Sequence, residues 1–347
     1  MAKGNEPVQG KSTEESTHRQ IGPISRRDFL IRTNTGAVAI GLMSVPSLAG
    51  KPAPEPQAPG GARNIRTTTP AAARVSQGKK LKDLLARKGV VLVVLGTPDA
   101  GTAQAMDAAG VEAAFIGTGI MMGRYTALGD DGVITATESL WAAKFITESV
   151  NFPVILDGDT GHGGPFAVKR LVQECVKIGL AGIRIDDQEI EAKRGTGSSG
   201  IVIVSREQAV ERYQAAVKAR NELDRNFVIM AQCYARKADN GGMNELLARL
   251  PLYETAGGCD WVQFERPQSV DEIKQARAVV KGPFSAMQGD LPKALTVKEH
   301  AALGLNAKWA TGWPSSVLNT AARQATDEFK TKGADFVRGV PNTPNQR

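Results

Sequence analysis

Short apolar runs recur eight times between residues 79 and 333, at 90–95, 113–116, 154–156, 182–185, 227–231, 261–264, 284–286 and 308–310. Stretches with helical character stand between most of them, at 100–109, 165–178, from about 205, 243–255, 270–280 and 297–303, and a closing one follows Pro314. Continuous rather than alternating apolar runs mark strands buried on both faces, which means a parallel sheet covered by helices. Eight such units in about 250 residues predict an α/β fold of the (β/α)8 TIM-barrel type rather than an open doubly wound sheet. Helix starts support the parsing. Ser205 stands with Gln208 behind it, and Thr296 with Glu299 three residues on forms a capping-box pattern.

A parallel barrel opens all its strand ends onto one face, where active sites lie. "VILDGDTGHGG", residues 154–164, ends an apolar run with two carboxylates, Asp157 and Asp159, and a glycine-rich turn. The other ends add Thr118 and Gly119 after strand two, with Asp130 and Asp131 in the loop beyond. Asp186 and Asp187 follow strand four, Gln232 and Cys233 strand five, and Glu265 strand six. So many carboxylates in one mouth, without enough basic partners from the strand ends, would repel each other, and a divalent cation is their simplest neutraliser. Carboxylate oxygens are hard ligands suited to Mg²⁺ or Mn²⁺.

The remaining composition excludes other classes. The net charge of +7 is modest and its basic residues are scattered, without the interleaved aromatics of a nucleic-acid platform. Cys175, Cys233 and Cys259 form no CxxC pair, and with only three histidines a zinc cluster is not expected. Ahead of the barrel, Ser25-Arg26-Arg27-Asp28-Phe29-Leu30, a weakly apolar stretch and Ser47-Leu48-Ala49 follow in the order of a twin-arginine export signal. The expected organisation is a signal peptide at 1–49, a Pro/Ala/Gly-rich linker at 50–78, the barrel at 79–333 and a flexible tail at 334–347. The signal's apolar stretch is too short and glycine-rich for a membrane span. The expectation is therefore a periplasmic protein with no stable membrane insertion, a partner of the twin-arginine translocase only during export.

"GTPDAGTAQAMDAAGVEAAFIGTG", "VILDGDTGHGG" and "IRIDDQ" resemble the isocitrate lyase and phosphoenolpyruvate mutase superfamily, from about residue 81 to 329. The resemblance implies a barrel with a swapped C-terminal helix, assembled as a homodimer or homotetramer, that binds Mg²⁺ and a small keto or hydroxy acid. It implies Asp157 as principal metal ligand, with Asp159, Asp130 and Asp186 holding metal-bound waters, and Thr118 and Gly119 on the substrate carboxylate. Gln232 and Glu265 complete the expected substrate-binding set. Breaking a bond beside a ketone leaves an enolate, whose charge a chelated divalent cation stabilises.

The chain also departs from that pattern. Relatives carry a Lys-Arg-Cys-Gly-His lid, whereas "AKRGTGSSG" keeps Lys193 and Arg194 and has Gly195 at the cysteine's position and Gly197 at the histidine's. Asp186 stands where Glu is usual. Gln232 replaces an arginine, and His162 a tyrosine. His162, Lys193 and Arg194 are the expected catalytic residues. Three functions follow: a Mg²⁺-dependent carbon–carbon lyase or decarboxylase on a small di- or tricarboxylic acid, a phosphonate-forming mutase or phosphonate hydrolase, or a non-catalytic periplasmic acid-binding protein.

Overall fold

The computed structural model describes residues 76–333. Strands β1 (Leu92–Gly96), β2 (Ala113–Ile116), β3 (Val154–Asp157), β4 (Gly182–Asp186), β5 (Val228–Cys233), β6 (Trp261–Phe264), β7 (Phe284–Ala286) and β8 (Ala307–Ala310) close into a barrel in chain order. Every pairing is parallel, and β1 meets β8. The expected TIM-type barrel is the observed fold.

Period-two alternation divides the strand side chains between two cores. Leu92, Val94, Phe115, Ile155, Met230, Trp261 and Trp309 fill the barrel interior. Leu156, Ile183, Ile185 and Ile229 face outward against Val168, Leu171 and the other helical residues. This parity has a functional consequence on β4: with Ile183 and Ile185 outward, Arg184 and Asp186 point into the barrel.

The helices are α1 (Gln77–Leu85), α2 (Ala100–Ala108), α3 (Thr118–Met121), α4 (Ala136–Ser149), α5 (Pro165–Lys177), α6 (Arg206–Leu223), α7 (Met243–Thr255), α8 (Val270–Val279), α9 (Val297–Ala302) and α10 (Trp313–Lys332). The capping boxes at Ser205 and Thr296 form as expected. Asp130 and Asp131 lie in a loop as expected, at 127–135, but α3 and a π-helical turn (Met122–Thr126) precede it and α4 follows. Its overlooked signal is Thr135 with Glu138, a third capping box, ahead of the buried Ala142, Ala143 and Ile146. Strand one begins at Leu92 rather than residue 90, since Val90 is half exposed.

α1 starts at Gln77, two residues before the expected barrel boundary, and Ser76 caps it by accepting from Lys79 N. The signal peptide, nearly all of the linker and the 334–347 tail lie outside the described residues. Of the twenty residues in α10, only Pro314 is buried.

Candidate active site

β3 carries the centre of the site. Asp157 and Arg184 face each other in register across β3 and β4, and Arg184 Nη2 donates to Asp157 Oδ2 at 2.7 Å. Thr118, the first residue of α3, adds its N–H (3.4 Å) and hydroxyl (3.3 Å) to the same oxygen. That hydroxyl also lies 2.9 Å from Asp159 Oδ1. Burial pushes the Asp157 carboxyl up, but Arg184 and Lys193 outweigh it and hold the group below its ordinary range. Asp157 is therefore a fixed anion.

Asp159 behaves oppositely. Burial, and then the Asp157 charge beside it, push it up to about 7. Its φ of +45° and Gly161's of +90° turn the chain sharply after β3. A Cβ on Gly161 would lie 2.4 Å from Val168 Cγ2, so the turn requires glycine there. The backbone then resumes pairing, with Asp186 N donating to Asp159 O at 2.8 Å. Asp186 is itself pushed up to about 6 by burial, and both of its oxygens accept from Gln188.

The loop between β4 and α6 folds over this cluster. An antiparallel bridge between Gln188 and Ile203 pins its two ends, and Gln188 exchanges hydrogen bonds with the Arg194 backbone. Lys193 Nζ reaches Asp130 Oδ1 at 2.7 Å and Asp159 Oδ1 at 2.9 Å. Burial alone would depress this ammonium, yet Asp159, Asp130 and Asp157 raise it above its ordinary range. Thr196 Oγ1 lies 2.8 Å from Tyr234 OH, and Arg266 Nη1 donates to Ser198 O. Gly195 is packed so tightly that a Cβ would stand 2.9 Å from Asp130 O.

A second polar group lies on β5 and β6. Glu265 Oε2 accepts from Gln232 Nε2 (2.7 Å) and Gln263 Nε2 (3.0 Å), while Oε1 is buried without a partner. Burial raises the Glu265 pKa. Beside Asp157 and Arg184 is a cavity of about 360 Å³, lined also by Phe115, Gly119, Asp130, Thr196 and Met287.

The fold thus brings together Asp157, Asp159, Asp130, Asp186, Thr118, Gly119 and Lys193, and pairs Gln232 with Glu265. Thr118 and Gly119 are turned toward carboxylates: the Thr118 donors meet Asp157 and Asp159, and a Cβ on Gly119 would meet Asp130 Oδ2 at 3.0 Å. Arg194 stands apart. It is exposed, and its guanidinium returns to Lys193 O. His162 is half-buried with Nε2 unpartnered, and burial lowers its pKa, so it is neutral near pH 7.

Two expectations need correction. The acidic mouth was expected to have too few basic partners from the strand ends, but Arg184 supplies one at Asp157 itself. Its signal was present, a charged residue two positions before Asp186 and hence on the same strand face. Cys233 was expected near the pocket, yet its Sγ points outward to Asp187 at 3.4 Å. Asp187 itself is fully buried and structural, accepting from Tyr253 OH at 2.6 Å and Tyr234 N at 2.8 Å.

Among the described residues, no three His, Cys, Asp or Glu side chains stand close enough to hold a metal by themselves. Magnesium does not require that, since it keeps several waters and binds through one or two carboxylates. The donor set is all oxygen, and Asp159 Oδ2 is a buried acceptor with no partner. These residues fit such an ion.

A closed parallel barrel with a carboxylate cluster where its strands end is an enzyme scaffold. The chain belongs to the phosphoenolpyruvate phosphomutase family, whose model matches residues 81–330, and is an enzyme of the isocitrate lyase and phosphoenolpyruvate mutase superfamily. It is similar to 2,3-dimethylmalate lyase of Eubacterium barkeri, 33% identical over 267 residues, 76% of this chain and 89% of that one. It is also 33% identical to 2-methylisocitrate lyase of Shewanella oneidensis over 212 residues, 61% of this chain and 70% of the relative. The structure of oxaloacetate acetylhydrolase with the inhibitor 3,3-difluorooxalacetate superposes with a TM-score of 0.70 at 26% identity, covering 78% of this chain and 91% of that one.

Proposed function

We propose that this protein is a Mg²⁺-dependent lyase that breaks a carbon–carbon bond, decarboxylation included, in a small keto or hydroxy di- or tricarboxylic acid. The observation that carries the reading is a carboxylate cluster beside a cavity of about 360 Å³, in which Lys193 pairs with Asp130 and Asp159 and the Thr118 hydroxyl ties Asp159 to the Arg184-paired Asp157. Asp157 would hold the ion, with Asp159, Asp130 and Asp186 accepting from its waters. Mn²⁺ suits the same oxygens. The ion supplies Lewis acidity for the negative charge that develops when a bond next to a ketone breaks.

The chain's own residues supply position and enclosure. Arg184 and Thr118 fix the Asp157 carboxylate, so its geometry needs no reorganisation during reaction. The loop pinned by Gln188 and Ile203 covers the cluster and excludes water. His162 has an unspent but buried Nε2 and stands outside the cavity lining, so it would exchange a proton with substrate only after a shift of the turn that follows β3.

The test is a thermal-shift titration with Mg²⁺ and Mn²⁺ of the parent and Asp157→Ala, followed by a panel of keto and hydroxy acids monitored for pyruvate, glyoxylate, succinate or CO₂. Stabilisation should follow RT ln(1 + [L]/Kd), about 2.7 kcal/mol at a hundredfold excess over Kd, and vanish in the variant. An unchanged melting curve for the parent at millimolar metal would sink the reading. Gly195, where no side chain fits, favours one alternative, a phosphonate-forming mutase or phosphonate hydrolase. Phosphonopyruvate therefore belongs on the panel. Metal and acid binding without turnover of any compound would instead support a non-catalytic binder.

Two features extend the proposal. The ordered arginine pair and small-residue site at residues 26–49 support export through the twin-arginine pathway to the periplasm. The exposure of α10 supports a homo-oligomer that exchanges this helix.

A further inference from the structure

Arg184 is built into the cavity with most of its hydrogen-bonding capacity unused. Its side chain is only 8% exposed, and its flat guanidinium lies 4.3 Å from the Phe115 ring centroid. The planar group has five N–H donors. Among the described residues its one hydrogen bond is from Nη2 to Asp157 Oδ2, and Nε is buried without any partner. A buried cation with unspent donors is costly unless something accepts from them. The shape of those donors defines the acceptor, since a guanidinium edge matches the two oxygens of a carboxylate.

Among the described residues no acceptor besides Asp157 reaches it. Glu265 acts on Arg184 through its charge, but its Oε2 is held by Gln232 and Gln263 and its free Oε1 makes no hydrogen bond to Arg184. Of the cavity-wall residues that carry acceptors, Asp130, Thr196 and Asn319 bond to Lys193, Tyr234 and Arg124 rather than to Arg184. Arg184 stands on β4, whereas Thr118 and Gly119, expected at the acid group nearest the metal, stand on α3.

We infer that Arg184 binds a second carboxylate of the substrate, remote from the group chelated at Asp157, so that the enzyme selects diacids over monoacids of the same length. This deepens the proposed function and rests on its placement of the substrate beside Asp157. It also gives the Gln232 position a sense: strand five presents a neutral amide there, while the cation of the pocket stands on the neighbouring strand. Asp186 and Gln232 are register partners, and Arg184 lies two residues before Asp186.

The experiment is calorimetric binding to the full chain at saturating Mg²⁺, with malate against 2-hydroxybutanoate, which differ by one terminal carboxylate in place of methyl. Oxalate serves as a control that engages only the metal end. The parent should prefer malate by about tenfold to a hundredfold, the range for a hydrogen bond to a charged group. Arg184→Met should lose that preference, read as the ratio of the two hydroxy-acid affinities, even though loss of its bond to Asp157 weakens oxalate binding as well, and Arg184→Lys, which keeps the charge and loses the fork, should fall between. A parent that binds both hydroxy acids alike, or a folded Arg184→Met that keeps the preference, overturns the inference while leaving the metal site intact. If Arg184→Met does not fold, Arg184→Lys decides: an undiminished preference overturns it. Failure of oxalate to bind the parent in an Asp157-dependent way removes the proposed site itself, and the inference with it.

Discussion

Lys193 Nζ stands 2.9 Å from Asp159 Oδ1, so a residue of the loop after β4 supplies positive charge to a carboxylate at the end of β3. Both side chains are almost fully buried, which makes the pair a link between loop position and the charge state of the mouth. Replacing Lys193 by Met should free the carboxylates for a divalent ion while weakening the metal-free fold.

Breaking a buried ion pair from one side costs about 3–5 kcal/mol. Asp159 offsets part of this by taking up a proton, as its pKa of about 7 allows. The expected outcome for Lys193→Met is a lower melting temperature without metal and a tighter Mg²⁺ Kd by calorimetry. Unchanged metal affinity together with unchanged stability would show that Lys193 does not neutralise this cluster.

Behind the loop, Glu245 joins Arg206 on α6 to Arg249 on α7. Arg249 in turn donates to Val204 O at the loop's end. The hydrogen bond from Arg206, with the further pull of Arg249, outweighs the opposing effect of burial and lowers Glu245 from 4.5 to about 2. A depressed folded-state pKa contributes stability that is fully present above the ordinary value and lost as pH falls through the folded one. Denaturant melts of the parent and Glu245→Gln should therefore differ above pH 4.5 and converge as the pH approaches about 2. A difference that stays constant across this window would mean that the charge is not what Glu245 contributes.

Strand ends were the legible part of this sequence. Asp157, Asp159 and Asp186 could be placed at the mouth because an apolar run stopping at charge and glycine marks where a parallel strand leaves the core. Facing was legible as well, but only by counting parity. Gln232 inward forces Cys233 outward, and Asp186 inward carries Arg184 with it. Lys193 was legible as a site residue, whereas its partners depend on the path of a fourteen-residue loop between the Gln188 and Ile203 bridge residues, which no local pattern encodes. α4 escaped because its apolar residues are spread around the helix rather than gathered in one stripe: the large Trp141 and Phe145 are exposed, while the small Ala142 and Ala143 join Ile146 in the core.

The proposed export signal makes a prediction independent of the barrel. Replacing Arg26 and Arg27 together by Lys preserves charge and removes the guanidinium pair. The full-length precursor should then accumulate in the cytoplasm, read by fractionation and immunoblotting. Equal processing of the double variant and the parent would rule out the twin-arginine route.

The last prediction concerns the proton carrier. The family resemblance puts Gly195 at the position of the lid cysteine, and a Cβ there would press to 2.9 Å from Asp130 O, so the loop as folded has no room for one. The three cysteines cannot substitute. Cys175, Cys233 and Cys259 are all buried, and burial raises each thiol pKa. A buried thiol held protonated is a poor nucleophile and a poor target for alkylation. Iodoacetamide at neutral pH should leave turnover intact, and Cys175→Ser and Cys259→Ser should keep any activity that the parent shows. General acid–base catalysis typically contributes about 10² to 10⁴-fold, so isocitrate and methylisocitrate cleavage should be slower than in lid-cysteine relatives by a factor in that range. Cleavage at rates comparable to theirs would overturn the argument and point to another carrier, with His162 the first to test, since its Nε2 is unspent and its ring is neutral near pH 7. In that event His162→Gln should abolish the activity and remove a limb of the pH–rate profile, whereas a His162 that only supports the turn after β3 would leave the profile's shape unchanged.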